Sequence, residues 1–299
     1  MQNLLIVGCG DVARRLLPRL RGRYRVFALV RDPGQCPFWR DNGAIPLLAD
    51  LDRAETLRRI AGLADIVVHL APPAAGNDIP DACRDTRTRQ LLAALSRGQS
   101  LPQRIVYIST SGVYGDCLGA RIDETRVARP GTARAVRRVD AERRLRAFGR
   151  RGVVVSILRA PGIYAADRLP LERLRKGLPV VRVAEDVFTN HIHADDLAAL
   201  THAALRYGRA NRAYNATDDS EIRMGDYFDL VADRFGLPRP PRLSRHEAQR
   251  QLSPMQWSFM SESRRLLNHR AKKELRVKLR YARVEDGVEA AWLERNERC

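Results

Sequence analysis

The chain has 299 residues, of which 44% are hydrophobic and 29% charged, so it can bury a full core as one large or two modest globular domains. Its net charge of +18 raises the question of a nucleic-acid partner, but 49 of the 53 basic residues are arginines and they are spread over most of the chain. Genomic codon bias toward arginine explains that spread better than a selected surface for polyanions does, so we expect no nucleic-acid partner, while acidic small molecules remain candidate partners.

Neither a membrane span nor a signal peptide is predicted, because the first apolar run is short and no basic leader precedes it. The five cysteines (Cys9, Cys36, Cys83, Cys117 and Cys299) contain no CxxC pair. This argues against a zinc cluster or a disulfide framework. We therefore expect reduced thiols in a cytoplasmic protein without a membrane partner.

Short Val/Ile/Leu runs alternate with amphipathic stretches over the first 165 residues. In chain order the runs are NLLIV, YRVFALV, AIPLLADL, ADIVVHLA, RIVYISTS and VVVSILRAPGIY. Helices are predicted between them, among them GCGDVARRLLPRL, residues 52–63 and residues 83–97. Continuous apolar runs indicate strands buried on both faces, which is typical of a doubly wound parallel α/β sheet.

The alternation becomes weaker beyond residue 165, and the tail from 246 to 299 has mainly helical patterns. These changes predict a first domain over 1–165 and a smaller, mostly helical domain over 166–299. Residues 187–217 are expected to return to the sheet of the first domain.

The turn from the first strand to the first helix contains two glycines and a small residue at the spacing of a dinucleotide-binding motif. It reads Gly8-Cys9-Gly10-Asp11-Val12-Ala13. Gly8 permits the tight turn, Gly10 lets the backbone approach a pyrophosphate, and the N–H groups of the helix start can bind the phosphates. A plain strand-to-helix turn is the alternative, but the complete series of strands favours dinucleotide binding.

The end of the second strand bears on the choice between NADP and NAD. An NAD site places a carboxylate there for the ribose 2′-hydroxyl, whereas this chain has Arg31 and only then Asp32. Arg31 could bind a 2′-phosphate through its planar fork of donors, which favours NADP with NAD still possible. Alternatively, Arg31 is solvated and Asp32 contacts the ribose. Asp50 and Leu51 would border the adenine, unless Asp50 only caps the next helix.

Six motifs in order resemble the extended short-chain dehydrogenases/reductases, the NAD-dependent epimerase/dehydratase family, and in particular its atypical bacterial branch. They are GCGDVA, LLADL, VVHLAPP, IVYISTSGVYG, LRAPGIY and IHADDLA. The resemblance covers nearly the whole chain. It implies a Rossmann domain with Ala71 and Pro72 beside the cofactor, a smaller C-terminal domain that closes over the substrate, often a nucleotide sugar, and in many members a homodimer.

The resemblance also implies a Tyr-x-x-x-Lys pair four residues ahead of Glu142, and this pair is replaced. Arg138 stands at the lysine position and Arg134 at the tyrosine position. Arginine is always protonated, so Arg134 cannot exchange a proton with the substrate. Arg138 could still bind the nicotinamide ribose, and both arginines could bind negative charge.

Other residues near the same strand ends are candidates for the chemistry. Thr110 stands at the position of the family's catalytic Ser/Thr, where its hydroxyl would polarise the reacting oxygen. Tyr114 or Tyr164 could serve as the acid or base if neighbouring arginines lowered the phenol pKa. Alternatively, both are packing aromatics that line the pocket wall, where Tyr164 would contact the substrate. Ser111 is a candidate substrate contact, and its position argues against dehydration because dehydratases have an Asp-Glu pair there. Arg159 could face a substrate phosphate or form an ion pair.

No metal site is predicted. His191, His193, Asp195 and Asp196 include metal-ligand types, but they match the family's strand and helix start. Two hypotheses therefore stay open. The first is an NAD(P)-dependent oxidoreductase or epimerase acting on an anionic, nucleotide-linked or free sugar, and the second is a non-catalytic NADP-binding sensor.

Overall fold

The computed structural model describes residues 1–74 and 83–296. Its strands are β1 (Gln2–Val7), β2 (Tyr24–Val30), β3 (Ile45–Leu48), β4 (Ile66–His69), β5 (Arg104–Thr110), β6 (Arg121–Ile122), β7 (Val154–Ala160), β8 (Gly162–Tyr164), β9 (Val180–Val181), β10 (Phe188–Thr189), β11 (His191–His193), β12 (Arg212–Asn215), β13 (Ile222–Arg223), β14 (Arg242–Leu243) and β15 (Arg265–Leu266). Its helices are α1 (Asp11–Leu20), α2 (Cys36–Asp41), α3 (Thr86–Leu95), α4 (Ala133–Gly149), α5 (Leu171–Arg175), α6 (Ala194–Tyr207), α7 (Met224–Arg234), α8 (Arg245–Gln251), α9 (Pro254–Ser258), α10 (His269–Leu275) and α11 (Val284–Asn296).

Seven strands form one parallel sheet in the order β12-β7-β5-β4-β1-β2-β3. The prediction of a doubly wound Rossmann sheet is confirmed. The strand order reverses between β1 and β4, and open α/β sheets bind their ligands at such a point, beyond the carboxyl ends of the strands. The prediction that residues 52–63 form an amphipathic helix is wrong, because only Ala54–Ile60 is helical and it is a 3₁₀ helix.

Both faces of the sheet are buried, as the continuous apolar runs predict. In β1, Leu4 and Ile6 pack on the face that α1, α6 and α10 cover. Leu5 and Val7 point to the opposite face, where α3 and α4 pack. The alternation along one strand therefore divides the core into two layers, one on each side of the sheet.

The C-terminal region has a third apolar core and contains mainly helices. Tyr164, Phe228 and Val288 are among its buried members, which come from β8, α7 and α11. The region also contains strand pairs of two or three residues per strand, such as β8 with β11 and β9 with β14. Strand β12 lies at an edge of the main sheet, and α6 packs against α1.

No helix in the described ranges is long and apolar enough to cross a membrane. Cys9, Cys36, Cys83 and Cys117 are free thiols, and Cys299 lies outside the described residues.

Candidate active site

A cavity of about 500 Å³ opens at the reversal point of the sheet. Its wall brings together the glycine turn after β1, the ends of β2 to β5, and the first turns of α4. Every residue predicted to bind a cofactor lies in this wall, and these residues are Gly8, Cys9, Gly10, Asp11, Val12, Arg31, Asp50, Leu51, Ala71, Pro72 and Arg138. Their assignment to a cofactor stays a prediction.

The glycine turn is held against the end of β4. The N–H groups of Leu70 and Ala71 donate to the Val7 carbonyl at 2.7 and 3.0 Å. Gly8 has φ +97°, and a Cβ there would lie 2.3 Å from the Ala71 nitrogen, so this position requires glycine. A Cβ on Gly10 would meet nothing within 4 Å, which leaves space for a ligand above the start of α1.

The Cys9 thiol helps to hold the glycine turn in place. Its Sγ donates to the Leu29 carbonyl at 3.2 Å, and burial raises the pKa of this thiol to about 12. Cys9 therefore stays protonated and ties the turn to β2.

Arg31 and Asp32 differ in what holds them at the end of β2. The Asp32 carboxylate accepts a hydrogen bond from the Gly34 N–H at 2.9 Å and caps a 3₁₀ turn. Arg31 is exposed in the cavity wall, and no hydrogen bond or ion pair with another described residue holds its side chain. The Asp32 carboxylate thus already has a hydrogen-bond partner in its own turn, while the Arg31 guanidinium is available to a ligand.

Arg87 lies in the cavity wall, although no pattern in the sequence predicts it there. It forms two hydrogen bonds to Asp52, at 2.8 and 2.5 Å, and donates to the Pro72 carbonyl at 3.1 Å. These bonds lower the pKa of Asp52. Only the fold brings α3 beside the end of β4, so no local sequence signal identifies Arg87.

At the end of β5 the cavity wall contains Thr110, Arg134 and Arg138. The Thr110 hydroxyl oxygen accepts the Gly112 N–H at 3.2 Å, which leaves its proton free to donate. Arg138 is buried, and its Nη1 donates to the Tyr107 hydroxyl at 2.8 Å and the Ile108 carbonyl at 2.9 Å.

Arg134 projects from the first turn of α4 and is exposed to the cavity. Desolvation, followed by repulsion from Arg138, lowers the pKa of its guanidinium from the usual value. No carboxylate among the described residues pairs with Arg134 or with Arg138. This end of the cavity therefore attracts anions.

The structure corrects the prediction for Tyr114. It is buried outside the cavity wall, and its hydroxyl donates to Asn215 Oδ1 at 2.7 Å. Arg159 stacks on the ring at 4.8 Å, but burial outweighs its charge and raises the pKa of Tyr114 to about 12. The expected lowering of this phenol pKa is wrong, and Tyr114 is not placed to act as an acid in the cavity.

The structure also corrects the prediction for Tyr164, and burial of the phenol is again the reason. Its ring packs in the C-terminal core against Gly287, and its hydroxyl lies 3.5 Å from the Arg283 carbonyl. Burial raises the pKa of this phenol as well. The side chain does not line the cavity, so it has no route to a substrate there.

Arg159 and Ser111 also lie outside the cavity wall. Arg159 forms a buried pair with Glu142, with Nη2–Oε2 and Nε–Oε1 distances of 2.7 and 3.1 Å. Ser109 donates to the same carboxylate at 2.7 Å. Arg159 is therefore a structural ion-pair residue, as the alternative interpretation of the sequence predicts. Ser111 is buried.

His191 and His193 are buried among aromatic rings, and burial lowers the pKa of each imidazole, to about 3 and about 4. No group of three or more His, Cys, Asp or Glu residues in ranges 1–74 and 83–296 could hold a metal ion.

Comparisons with known proteins agree with this architecture. The sequence model of the NAD dependent epimerase/dehydratase family matches residues 4–217. No curated protein matches the chain. A functionally unknown conserved protein from Silicibacter pomeroyi is 29% identical with a TM-score of 0.77, and the match covers 99% of both chains.

Two further solved structures show the same fold at lower identity. UDP-glucose 4-epimerase from Thermotoga maritima, solved with UDP-glucose, is 18% identical with a TM-score of 0.78 over 99% of both chains. MoeE5, solved with UDP-glucose and NAD, is 20% identical with a TM-score of 0.73 over 99% of both chains.

Proposed function

Because this chain belongs to the NAD-dependent epimerase/dehydratase family, we propose that it is an NADP-dependent oxidoreductase or epimerase acting on an anionic sugar. One observation carries the proposal. A single open cavity has the glycine turn at one end and Thr110, Arg134 and Arg138 at the other. A dinucleotide and a substrate can therefore lie in one cavity with the reacting groups beside Thr110.

The described residues fit a nicotinamide dinucleotide. The open space above Gly10 and the free N–H groups at the start of α1 suit a pyrophosphate, and the unpaired Arg31 suits a 2′-phosphate. When bound, the dinucleotide would supply the hydride donor or acceptor. Thr110 would donate a hydrogen bond to the reacting oxygen, and Arg138 would hold the ribose end.

The substrate is proposed to be anionic because Arg134 and Arg138 have no carboxylate partner in the described parts of the chain. A buried or partly buried guanidinium binds phosphate or carboxylate strongly. UDP-linked sugars are the first compounds to test, since two proteins of the same fold were solved with UDP-glucose.

Replacing Arg31 by alanine is expected to weaken NADP binding by about 10- to 100-fold and to leave NAD binding nearly unchanged. The reason is that only NADP has the 2′-phosphate with which the guanidinium would form charge-assisted hydrogen bonds. Isothermal titration of both dinucleotides into the wild type and the variant measures the two ratios, and ligand-dependent melting shifts provide a second readout.

Arg40→Ala is the matched control, because Arg40 is exposed and outside the cavity wall. Equal losses for NAD and NADP on Arg31→Ala would mean that Arg31 does not contact the 2′-phosphate. A wild type that binds NAD far more tightly than NADP would overturn the choice of cofactor.

A non-catalytic NADP-binding sensor is the second candidate, and one observation favours it. The described wall of the cavity contains no tyrosine, histidine or lysine, so the usual proton-exchanging side chains are missing beside Thr110. Such a protein would keep the fold and the dinucleotide and would bind an anion without converting it.

Replacing Arg134 by tyrosine is expected to raise turnover, because a phenol beside Arg138 could exchange a proton at the position where arginine cannot. With UDP-sugars and sugar acids as substrates, absorbance at 340 nm measures net oxidation or reduction, and chromatography of the sugars measures epimerisation, which leaves the cofactor unchanged. Turnover by the wild type would exclude the sensor. If wild type and variant both bind NADP but turn over none of these compounds, the sensor is the better proposal.

The cytoplasmic location and a homodimer also remain predictions. Fractionation and light scattering test them directly.

A further inference from the structure

Five charged side chains form a connected cluster at the start of α1. We call it the α1 cluster, and its members are Asp11, Arg15, Asp167, Arg168 and Asp195. Arg15 contacts all three carboxylates, Asp11 at 2.8 Å, Asp195 at 2.7 Å and Asp167 at 3.6 Å. Among the carboxylates of the described residues, Arg168 reaches only Asp11, through an Nη1–Oδ2 distance of 3.5 Å. The two arginines thus differ in how firmly they are held.

The α1 cluster joins three parts of the chain at the phosphate end of the cavity. Asp11 is the first residue of α1, and Asp195 lies in the first turn of α6. Asp167 and Arg168 come from the 3₁₀ helix Ala166–Arg168, which packs against α11 in the C-terminal region. Arg168 is the member contributed by that region to the cavity wall.

The charges of the α1 cluster do not balance, because three carboxylates face two guanidinium groups. One carboxylate, Asp11, lies in the cavity wall at the helix start, where we have placed two phosphates. Because Arg15 divides its charge among three carboxylates, Asp11 stays incompletely compensated and would repel the phosphates. A cation is therefore needed between Asp11 and the ligand.

We propose that Arg168 binds the pyrophosphate of the dinucleotide, exchanging its long contact with Asp11 for the phosphate oxygens. Arg15 stays on Asp11 at 2.8 Å during the exchange, but it also contacts Asp195 and Asp167 and so offsets only part of the Asp11 charge. A 3.5 Å contact is at the limit of a hydrogen bond, so little is lost when it breaks. This inference rests on the proposed dinucleotide site and adds a residue from the C-terminal region to it.

Through Arg168, the C-terminal region would contact the cofactor directly. The 3₁₀ helix with Arg168 precedes α5 and is packed on α11, so its backbone has a fixed position. The side chain is 40% exposed and free to turn toward the ligand. Loss of Arg168 should therefore affect binding without affecting the fold.

The test is isothermal titration of the full chain and its Arg168→Ala variant with NAD, NADP, adenosine 2′-monophosphate and UDP-glucose. Affinity for both NAD and NADP is expected to fall by about 10- to 100-fold, and by the same factor, because both have the pyrophosphate. Binding of adenosine 2′-monophosphate, which has no pyrophosphate, should not change. Arg175→Ala is the control, since Arg175 pairs with Glu172 nearby and lies outside the cavity wall.

A second variant separates charge from packing. In the Arg168→Ala background, Asp11→Asn should restore part of the lost affinity, because it removes the carboxylate that Arg168 was shielding. The inference is overturned if the wild type binds NAD and NADP but Arg168→Ala binds them equally well, or loses only NADP, or loses only UDP-glucose. A wild type that binds neither dinucleotide contradicts the proposed function itself.

Discussion

Replacing Glu142 by alanine is expected to lower the free energy of unfolding by about 3–5 kcal/mol, because it leaves a charge buried without its partner. Arg159 is 6% exposed and Glu142 is 4% exposed. The carboxylate outweighs the effect of burial and raises the pKa of Arg159 above its usual value. Without it, the guanidinium and the Ser109 hydroxyl would both lose their acceptor. Urea unfolding at neutral pH measures the loss.

Two further variants test whether the loss of stability comes from the buried unpaired charge. Glu172→Ala removes an exposed partner of Arg175, and its effect should stay within about 1 kcal/mol. Adding Arg159→Met to Glu142→Ala should recover much of the stability, since no unpaired charge then remains in the core. A loss below about 1 kcal/mol for Glu142→Ala alone would show that water reaches Arg159.

Replacing Asp218 by asparagine is expected to stabilise the protein at pH 8 by a few kcal/mol and to leave it nearly unchanged at pH 4. Asp218 is 2% exposed, and its Oδ2 has no hydrogen-bond partner among the described residues. Burial, with smaller effects from Asp219 and Glu285, raises the pKa of Asp218 to about 8, although the Ser220 N–H donates to the other oxygen at 3.0 Å.

The direction of the pH effect follows from the two states of this carboxyl. Between pH 4 and pH 8 it is ionised in the unfolded chain and protonated in the folded chain, so stability falls as pH rises. The slope is at most about 1.4 kcal/mol per pH unit, and it ends above pH 8 where both states are ionised. Asparagine carries no proton to lose, so the variant should lack this slope.

Urea unfolding in steps from pH 4 to pH 8.5 measures the difference between the variant and the wild type. Asp233→Asn is the control, because Asp233 is exposed and its pKa is lowered by Arg239, which places its titration below this range. A constant difference between Asp218→Asn and the wild type over the whole range would mean that Asp218 is ionised in the folded protein.

Local sequence predicts the sheet well, because the signal there is repeated along each strand. The six apolar runs lie in the strands β1 to β5, β7 and β8, and the glycine turn lies where the motif places it. Residues 52–63 have the spacing of a helix, yet only one short 3₁₀ helix forms there. Periodicity indicates which residues face the core but not which helical geometry the connection adopts.

The cavity was predictable where its residues follow strands and not where they come from distant segments. Gly8, Arg31 and Thr110 each follow or end a strand of the sheet and lie in the wall. Tyr114 and Tyr164 also follow or end strands, but their rings are buried in apolar cores. No sequence pattern predicts to which side such a ring points. Arg168 enters the wall only because the C-terminal region packs beside α1.

Strand β12 lies at the edge of the main sheet, although it follows β8 to β11 of the C-terminal region in the chain. The sheet domain and the C-terminal region therefore depend on each other. A fragment ending at residue 165 would lack α6 and β12, and the apolar side chains of α1 and β7 that they cover would face water. We therefore expect that neither region folds on its own. The chain has to complete contacts between residues far apart in sequence before either part is stable, so truncation should affect the cofactor end and the C-terminal end together.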